Sequence, residues 1–290
     1  MLLFDFSDKS LRVLKTSPRF LGGNSVSGFA QSGLPPGLIE GNEIRDTDAL
    51  AKEVQEILKK GSLSDQEASF VLHDERSFNL RLPAPVTADT KVNPILLEKQ
   101  LAALLPAPIS TLVYDAWNQQ FAAIDKEIFS KYLELFGKLG LKPHLAVPES
   151  QAIWAFLLPH IGEEEVVAFL EIETATTDVI ILDRKGILQT FTEPIETSQL
   201  IESFKNVSSF FQSRFDRKIG KIFLGGGGAG ALDPKVFSEK MGIPAVSCEE
   251  VLKSYPSIAA DFGQNSKLDF IALLGLALLG QQKSPLNFVR

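Results

Sequence analysis

The sequence predicts an α/β protein made of two similarly built halves, and three observations carry this. Strand and helix patterns alternate along the chain, which favours sheets flanked by helices. Each half opens on a hairpin pattern: LLFDF (2–6) followed by LRVLK (11–15), and LEIETATTDVIIL (170–182). The second half then runs through a strand, a glycine loop and a helix in KIFLGGGGAGALDPKVF (221–237).

Taken in order, Ser7-Asp8-Lys9-Ser10 joins the first two strands as a turn. GLPPGLIEGNEI (33–44) reads as a further strand with turns. TDALAKEVQEILKK (47–60) is a helix: Leu50, Val54, Ile57 and Leu58 share a face, Asp46 or Thr47 can cap its start, and Gly61 closes it. SFVLHDERSFNLRLPAPV (69–86) is strand, turn, strand. A helix is expected near ILLEKQLAALL (95–105), a strand at FAAID (121–125) and an amphipathic helix over 126–140, ending at Gly140. A short strand then leads to a helix starting near Pro148 and Glu149.

The second half restarts this plan. Residues 166–195 read as a three-stranded meander, and Asp5 and Ser7 fall opposite Glu171 and Glu173, a weak internal duplication. A helix follows over 198–215 with Leu200, Phe204, Val207 and Phe211 on one stripe. After the glycine loop, Asp233 is placed as N-cap and Pro234 at the first helical position.

Composition narrows the function. The chain has 290 residues, 44% of them hydrophobic and 22% charged, enough for two subdomains with real cores. Net charge is −7 and Lys and Arg are scattered, which argues against nucleic acid as a partner. A single cysteine, Cys248, allows no internal disulfide, suggests a reducing compartment and reads as a small buried apolar residue. The start MLLFDFSDKSLRVL has no basic stretch and is broken by Asp5, so no signal peptide is expected. FIALLGLALLG (270–280) falls short of the ~20 residues of a membrane span and reads as a core helix. The expectation is a cytoplasmic protein with no direct membrane insertion. His73, His144 and His160 are far apart and nothing has metal-ligand spacing, so no metal is expected. No nucleophile–base arrangement suggests catalysis.

The order of these phrases resembles the actin-like ATPase superfamily, and in wording the type IV pilus assembly protein PilM family, a relative of the cell-division protein FtsA. LLFDFSDKSLRVLK is similar to that family's first phosphate hairpin, normally of the type DIGSSSVK. GLIEGNEIRDTDALAKEVQEILKK, SFVLHDERSFNLRLPAP, LLPAPISTLVYD and IDKEIFSKYLELFGKLGLKPHLAVPESQAI occupy the places of its next segments. LEIETATTDVIIL looks like its second phosphate hairpin and FLGGGGA like its adenosine loop. The resemblance covers nearly the whole chain.

The resemblance implies two RNase H-like subdomains and a small inserted α+β unit of the 1C or SHS2 kind. The first subdomain would comprise 1–62, 144–162 and 266–290, the insertion 63–143, and the second subdomain 163–265. The family's further helical subdomain, 2B, is missing or much reduced, because EPIET leads straight into SQLIESFKNVSSFF. The implied nucleotide site is Asp5, Ser7 and Asp8 in the first hairpin, Thr174, Thr176, Thr177 and Asp178 in the second, and Gly225, Gly226, Gly227 and Gly228. As alternatives, the Thr and Asp residues are ordinary turn formers, and the glycines are a tight strand-to-helix connection.

Where the family has Asp and Gly in the second hairpin, this chain has Glu171 and Glu173, expected to block the site. Two unit charges ~5 Å apart repel by roughly 1 to 4 kcal/mol at effective dielectrics of 20 to 80. The expectation is a scaffold that is no longer an enzyme, a pseudo-ATPase, with no required cofactor, although ATP with Mg²⁺ stays possible. Its partner would be a PilN-like inner-membrane protein, captured by its cytoplasmic N-terminal peptide in a groove formed in part by 70–82 and 104–117. Other pilus assembly proteins, or a second copy, are further candidate partners. That partner would hold it at the inner face of the membrane. Two alternatives are a working actin-like ATPase and a GspL-like secretion component, the latter expected to continue into a transmembrane helix. SPLNFVR (284–290) reads first as a frayed tail, and second, by likeness to the Asn-Leu-Leu phrase of such partner peptides, as a docking segment.

Overall fold

A computed structural model describes residues 1–18, 24–86, 101, 104–105, 107–173, 176–255, 267–281 and 286–289. Two five-stranded sheets dominate it. In the first, β1 (Leu2–Phe6), β2 (Ser10–Pro18) and β3 (Asn24–Gly33) form an antiparallel meander. β6 (Glu67–Leu72) joins β1 in parallel and β9 (Lys142–Pro148) joins β6, for a spatial order β3-β2-β1-β6-β9. The second sheet repeats this with β10 (Val166–Ile172), β11 (Thr176–Asp183), β12 (Gly186–Glu196), β13 (Lys221–Gly225) and β14 (Ala245–Ser247), in the order β12-β11-β10-β13-β14. The duplication extends to register. Asp5 pairs with Arg12 across the first hairpin and Glu171 with Asp178 across the second, at the same step of each ladder.

Helices follow from apolar periodicity. α1 (Thr47–Lys60) buries Leu50, Ala51, Val54 and Ile57, and Asp46 caps it by accepting from the Ala49 N–H. α2 (Lys126–Lys138) buries Phe129, Tyr132, Leu135 and Phe136 under an Asp125 cap. Both close a core with Phe4, Phe6 and Phe70. α3 (Glu149–Leu157) and α7 (Ile271–Leu279) are almost entirely buried: α7 is apolar all round, whereas α3 opens on the buried polar residues Glu149, Ser150 and Gln151. They cross so closely that a Cβ on Gly275 would run into the Ala152 carbonyl. This pair welds the halves: its core takes Leu3, Val71 and Val147 from one sheet and Phe169, Ile181 and Phe223 from the other. α4 (Leu200–Phe215), α5 (Pro234–Met241) and α6 (Cys248–Leu252) complete the second half. Between β12 and β13 the chain forms one short turn and α4 only, so 2B is reduced to that helix. No described helix is long and apolar enough to cross a membrane.

A two-stranded antiparallel ribbon, β7 (Ser77–Val86) and β8 (Leu112–Asp125), forms a separate small sheet with its own core of Leu82, Leu101, Leu112, Ala116, Phe121 and Ala123, while Ala122 and Ile124 of β8 join the core of the first half.

Several expectations are corrected. Residues 33–44 are not one strand. They hold a minimal hairpin of β4 (Ile39–Glu40) and β5 (Glu43–Ile44), turned at Gly41 and Asn42, both with positive φ. The third strand of the first meander lies earlier, in NSVSGFAQSG, where Ser and Gly hide the alternation and Val26, Phe29 and Ala30 pack on the cores. The strand expected at 121–125 begins at Leu112. Gly61 does close α1, its N–H donating to the Ile57 carbonyl, but with negative φ, and the left-handed residue is Ser62 after it. The helix expected near 95–105 lies largely outside the described residues. Leu286–Val289 is not a frayed tail: Leu286, Asn287 and Phe288 are buried against β9 and α2.

Candidate functional site

The tips of the two hairpins face each other across the junction of the halves. Strand alternation aims Asp5, at the end of β1, toward the junction, and its carboxylate is almost wholly buried. Arg12, its cross-strand partner, donates from Nη1 to Asp5 Oδ2 at 3.0 Å, and its Nη2 lies 3.5 Å from Glu173 Oε1 in the other half. His73, just after β6, places Nδ1 2.9 Å from Glu149 Oε2 and Nε2 3.6 Å from Asp5 Oδ1. Glu149, His73, Asp5, Arg12 and Glu173 thus form one chain of alternating charge that spans both halves. Asp74 fixes its base by accepting from the Ser150 N–H (2.9 Å) and Ser150 Oγ (2.7 Å), so it caps α3 from a distance and presents Glu149 in the first helical turn.

The electrostatics follow from burial against pairing. Burial would lower the His73 pKa, but Glu149, and beyond it Asp5 and Glu171, outweigh this and raise it well above the ordinary value, which favours the imidazolium. Burial would raise Glu149, and His73 outweighs it and holds Glu149 below the usual range. Arg12 is raised in spite of burial, because Asp5 and Glu173 surround it. Glu171 and Asp178 form no ion pair of their own among the described residues, and the pull of His73 on Asp178 is outweighed. Burial and then Glu149 push Glu171 well up and Asp178 to about 7. Burial also raises Glu173, against the pull of Arg12. His73, Glu149, Glu171, Asp178 and Phe191 line a cavity of about 30 Å³, room for a water or two.

Each expected site residue has a definite place. Ser7 Oγ accepts from the Ser10 N–H at 3.0 Å and closes the first turn. Asp8 is committed elsewhere: its carboxylate accepts from the Gly41 and Asn42 N–H groups at 2.8 and 2.7 Å, which fixes the β4–β5 hairpin. Thr177 Oγ1 is buried with no hydrogen-bond partner among the described residues, and Asp178 lines the cavity. Thr176 lies in β11, and Thr174 falls outside the described residues. Glu171 faces the cavity, whereas Glu173 stands half-exposed and paired with Arg12.

The four glycines abut protein. A Cβ on Gly225 would meet the Phe169 ring and Ile271, on Gly226 the Ile172 backbone, on Gly227 the Asp269 carboxylate, and on Gly228 the Glu173 carbonyl. Gly226 also adopts φ +85°, and the Gly228 N–H donates to the Ile172 carbonyl at 2.7 Å. The loop is therefore packed on the end of β10. At the junction Arg12 and His73 are paired in place, and the surplus groups are carboxylates.

Sequence reasoning missed Arg12, His73, Asp74 and Glu149. For Arg12 a signal existed: seven residues after Asp5, it stands where the DIGSSSVK phrase ends in Lys. For the others none did, since their partners are 68 to 76 residues away in sequence.

No family model matches the chain, and no curated protein sequence matches it. Solved structures do. The chain is similar to a "PilM-PilN type IV pilus biogenesis complex" structure at TM-score 0.77 and 16% identity, over 97% of this chain and 98% of that one. A Bacteroides thetaiotaomicron protein with actin-like ATPase fold and unknown function aligns at 0.55 and 12% identity, over 94% of each chain. The cytoplasmic domain of EpsL, an inner-membrane component of the type II secretion system of Vibrio cholerae, aligns at 0.53 and 10% identity, over 100% of this chain and 97% of that one. The duplicated sheets, the inserted ribbon and these likenesses together assign the chain the actin-like ATPase fold, in the form seen in the PilM–PilN structure.

Proposed function

We propose that the protein is a scaffold of a type IV pilus or related inner-membrane assembly machine, and that it engages the cytoplasmic N-terminal peptide of a PilN-like protein without needing ATP. The likeness to the PilM–PilN structure supports the partner class. The observation that carries the rest is the Glu149–His73–Asp5–Arg12–Glu173 chain. It fills the gap between the hairpins with compensated charge, where the fold's nucleotide-using members need free donors for phosphate. In this reading the cleft is a structural joint, the protein is a pseudo-ATPase, and the partner holds it at the inner face of the cytoplasmic membrane.

The test is co-fractionation. The chain is expressed alone and together with a PilN-like inner-membrane protein, and membranes are separated from soluble material in buffer free of nucleotide. Recovery with membranes only when the partner is present supports the scaffold reading. Recovery in the soluble fraction in both cases overturns it. Membrane recovery without the partner also overturns it.

A further inference from the structure

β9 is an edge of the first sheet. An edge strand offers a row of unpaired N–H and C=O groups to any extended segment that can reach it. Here the outward groups of β9 are taken by Leu286–Val289. The Asn287 carboxamide accepts from the Ala146 N–H at 3.0 Å and donates to the His144 carbonyl at 3.0 Å, so one side chain imitates a paired peptide unit. The Phe288 N–H donates to the Ala146 carbonyl at 3.0 Å. Asp115 in β8 accepts the Asn287 N–H at 2.8 Å, and Asn287 Oδ1 also accepts from the Val289 N–H at 3.0 Å. Leu286 and Phe288 are each 3% exposed, and Phe288 meets Phe129 of α2 edge-on.

These contacts specify a pattern. Asn alone supplies both the donor and the acceptor at this reach. Asp would set a carboxylate against the His144 carbonyl, Ala would leave both β9 groups unpaired, and Gln is a methylene longer. The flanking positions require apolar side chains. Every hydrogen bond and ring contact named comes from β9, β8, α2 or within the segment, and none from α7, the helix that precedes it. The docking therefore does not depend on the covalent connection.

We infer that β9, Asp115 and Phe129 form a binding groove for an extended peptide of apolar–Asn–apolar pattern, and that Leu286–Val289 is its resident, exchangeable ligand. Only residues 280–285 separate α7 from the segment, so its effective concentration at the groove is of order millimolar. A peptide in trans competes with that concentration and gains access when the segment is displaced. Of the two stretches expected to build a partner groove, 104–117 contributes Asp115, and no described hydrogen bond to the segment comes from 70–82. The inference rests on the proposed function only in taking the PilN-like peptide as the natural competitor.

The experiment uses the full chain and a fluorescein-labelled Ser-Pro-Leu-Asn-Phe-Val-Arg peptide. Anisotropy titrations compare wild type with Asn287→Ala, whose resident segment is weakened. The variant is expected to bind the peptide at least tenfold more tightly than wild type, and the same peptide with Ala in place of Asn is expected to bind neither. No binding to the variant, or equal binding to both chains, overturns the inference. Should the variant fail to fold, ¹⁵N-labelled wild type decides: several millimolar unlabelled peptide should speed hydrogen exchange at the Phe288 amide at least threefold, and unchanged exchange overturns the proposal. No PilN-like protein is present in either measurement, so failure of the co-fractionation and failure of this test are separate results.

Discussion

Arg12 Nη1 lies 3.0 Å from Asp5 Oδ2, a buried pair that bridges the two strands of the first hairpin. Asp5 is buried and its other oxygen has no hydrogen bond among the described residues, so it depends on Arg12 and, at longer range, on His73. Removing one member of a buried pair leaves an uncompensated charge, at a cost of about 3–5 kcal/mol. Arg12→Ala should lower stability by about that much in urea unfolding. Adding Asp5→Ala should recover part of the loss, because the second change removes the orphaned carboxylate. A loss under about 0.5 kcal/mol would mean that the pair is an incidental surface contact.

The same pairing bears on nucleotide. A ligand at 100 times its dissociation constant stabilises a protein by about 2.7 kcal/mol, a Tm shift of several degrees. With its cations engaged, the chain should show no Tm change in millimolar Mg-ATP. A clear rise would require Arg12 to leave Asp5 and Glu173 for phosphate.

The glycine loop offers an independent check. Gly228 has an ordinary negative φ, so Ala there is not strained by backbone conformation. Its Cβ would nevertheless lie 2.7 Å from the Glu173 carbonyl. Overpacking of this kind costs about 1–3 kcal/mol. Gly228→Ala should therefore destabilise the nucleotide-free protein measurably. A loop that is open until a nucleotide arrives would tolerate the change.

Much of this architecture is legible in the sequence, and the limits have physical reasons. α1 announces itself through Asp46 and a four-residue apolar stripe, α5 through Asp233-Pro234, and α7 through an unbroken apolar run. β3 does not, because an edge strand whose few apolar residues, Val26, Phe29 and Ala30, are scattered among Ser and Gly has no period to detect. Glu171 and Glu173 are legible as carboxylates in the second hairpin. The groups they meet are not: His73, Glu149 and Arg12 come together only after both sheets have formed, and no local pattern encodes that meeting.

Asp178 should make stability depend on pH in an unusual direction. Its folded pKa is about 7, raised by burial and then by Glu149, against an unfolded value near 3.9. A raised folded pKa contributes stability that is complete below the unfolded value and is lost as pH rises through the folded one. Asp178→Asn should therefore raise stability at pH 7.5, by at most about 4 kcal/mol, and change little at pH 3, below both values, where the carboxyl is protonated in the folded and unfolded chain alike. Melts at the two pH values check this; an equal effect at both would place Asp178 in solvent.

Asp183 ties the inserted ribbon to the second half. Its carboxylate receives both terminal nitrogens of Arg81 from β7 (2.8 and 2.7 Å), Arg217 Nη1 (2.8 Å) and the Lys185 N–H (2.8 Å), and its carbonyl accepts from Trp154 Nε1 (3.1 Å). Next to it, Gln120 of β8 accepts from the Ile187 N–H at 3.1 Å. Gly186, at φ +125°, leaves the room that the Gln120 amide fills. Burial would raise Asp183, but Arg81 and Arg217 outweigh it and hold it below the usual range. A depressed folded pKa contributes stability present above the unfolded value and lost as pH falls through the folded one. Asp183→Ala should cost about 2–3 kcal/mol at pH 7, less than a fully buried pair because both arginines reach solvent, and the deficit should shrink below about pH 4. The ribbon should also exchange its amide hydrogens faster than the two sheets do. Global destabilisation with uniform exchange would show instead that Asp183 supports the second sheet alone, and that the ribbon is held by its other contacts.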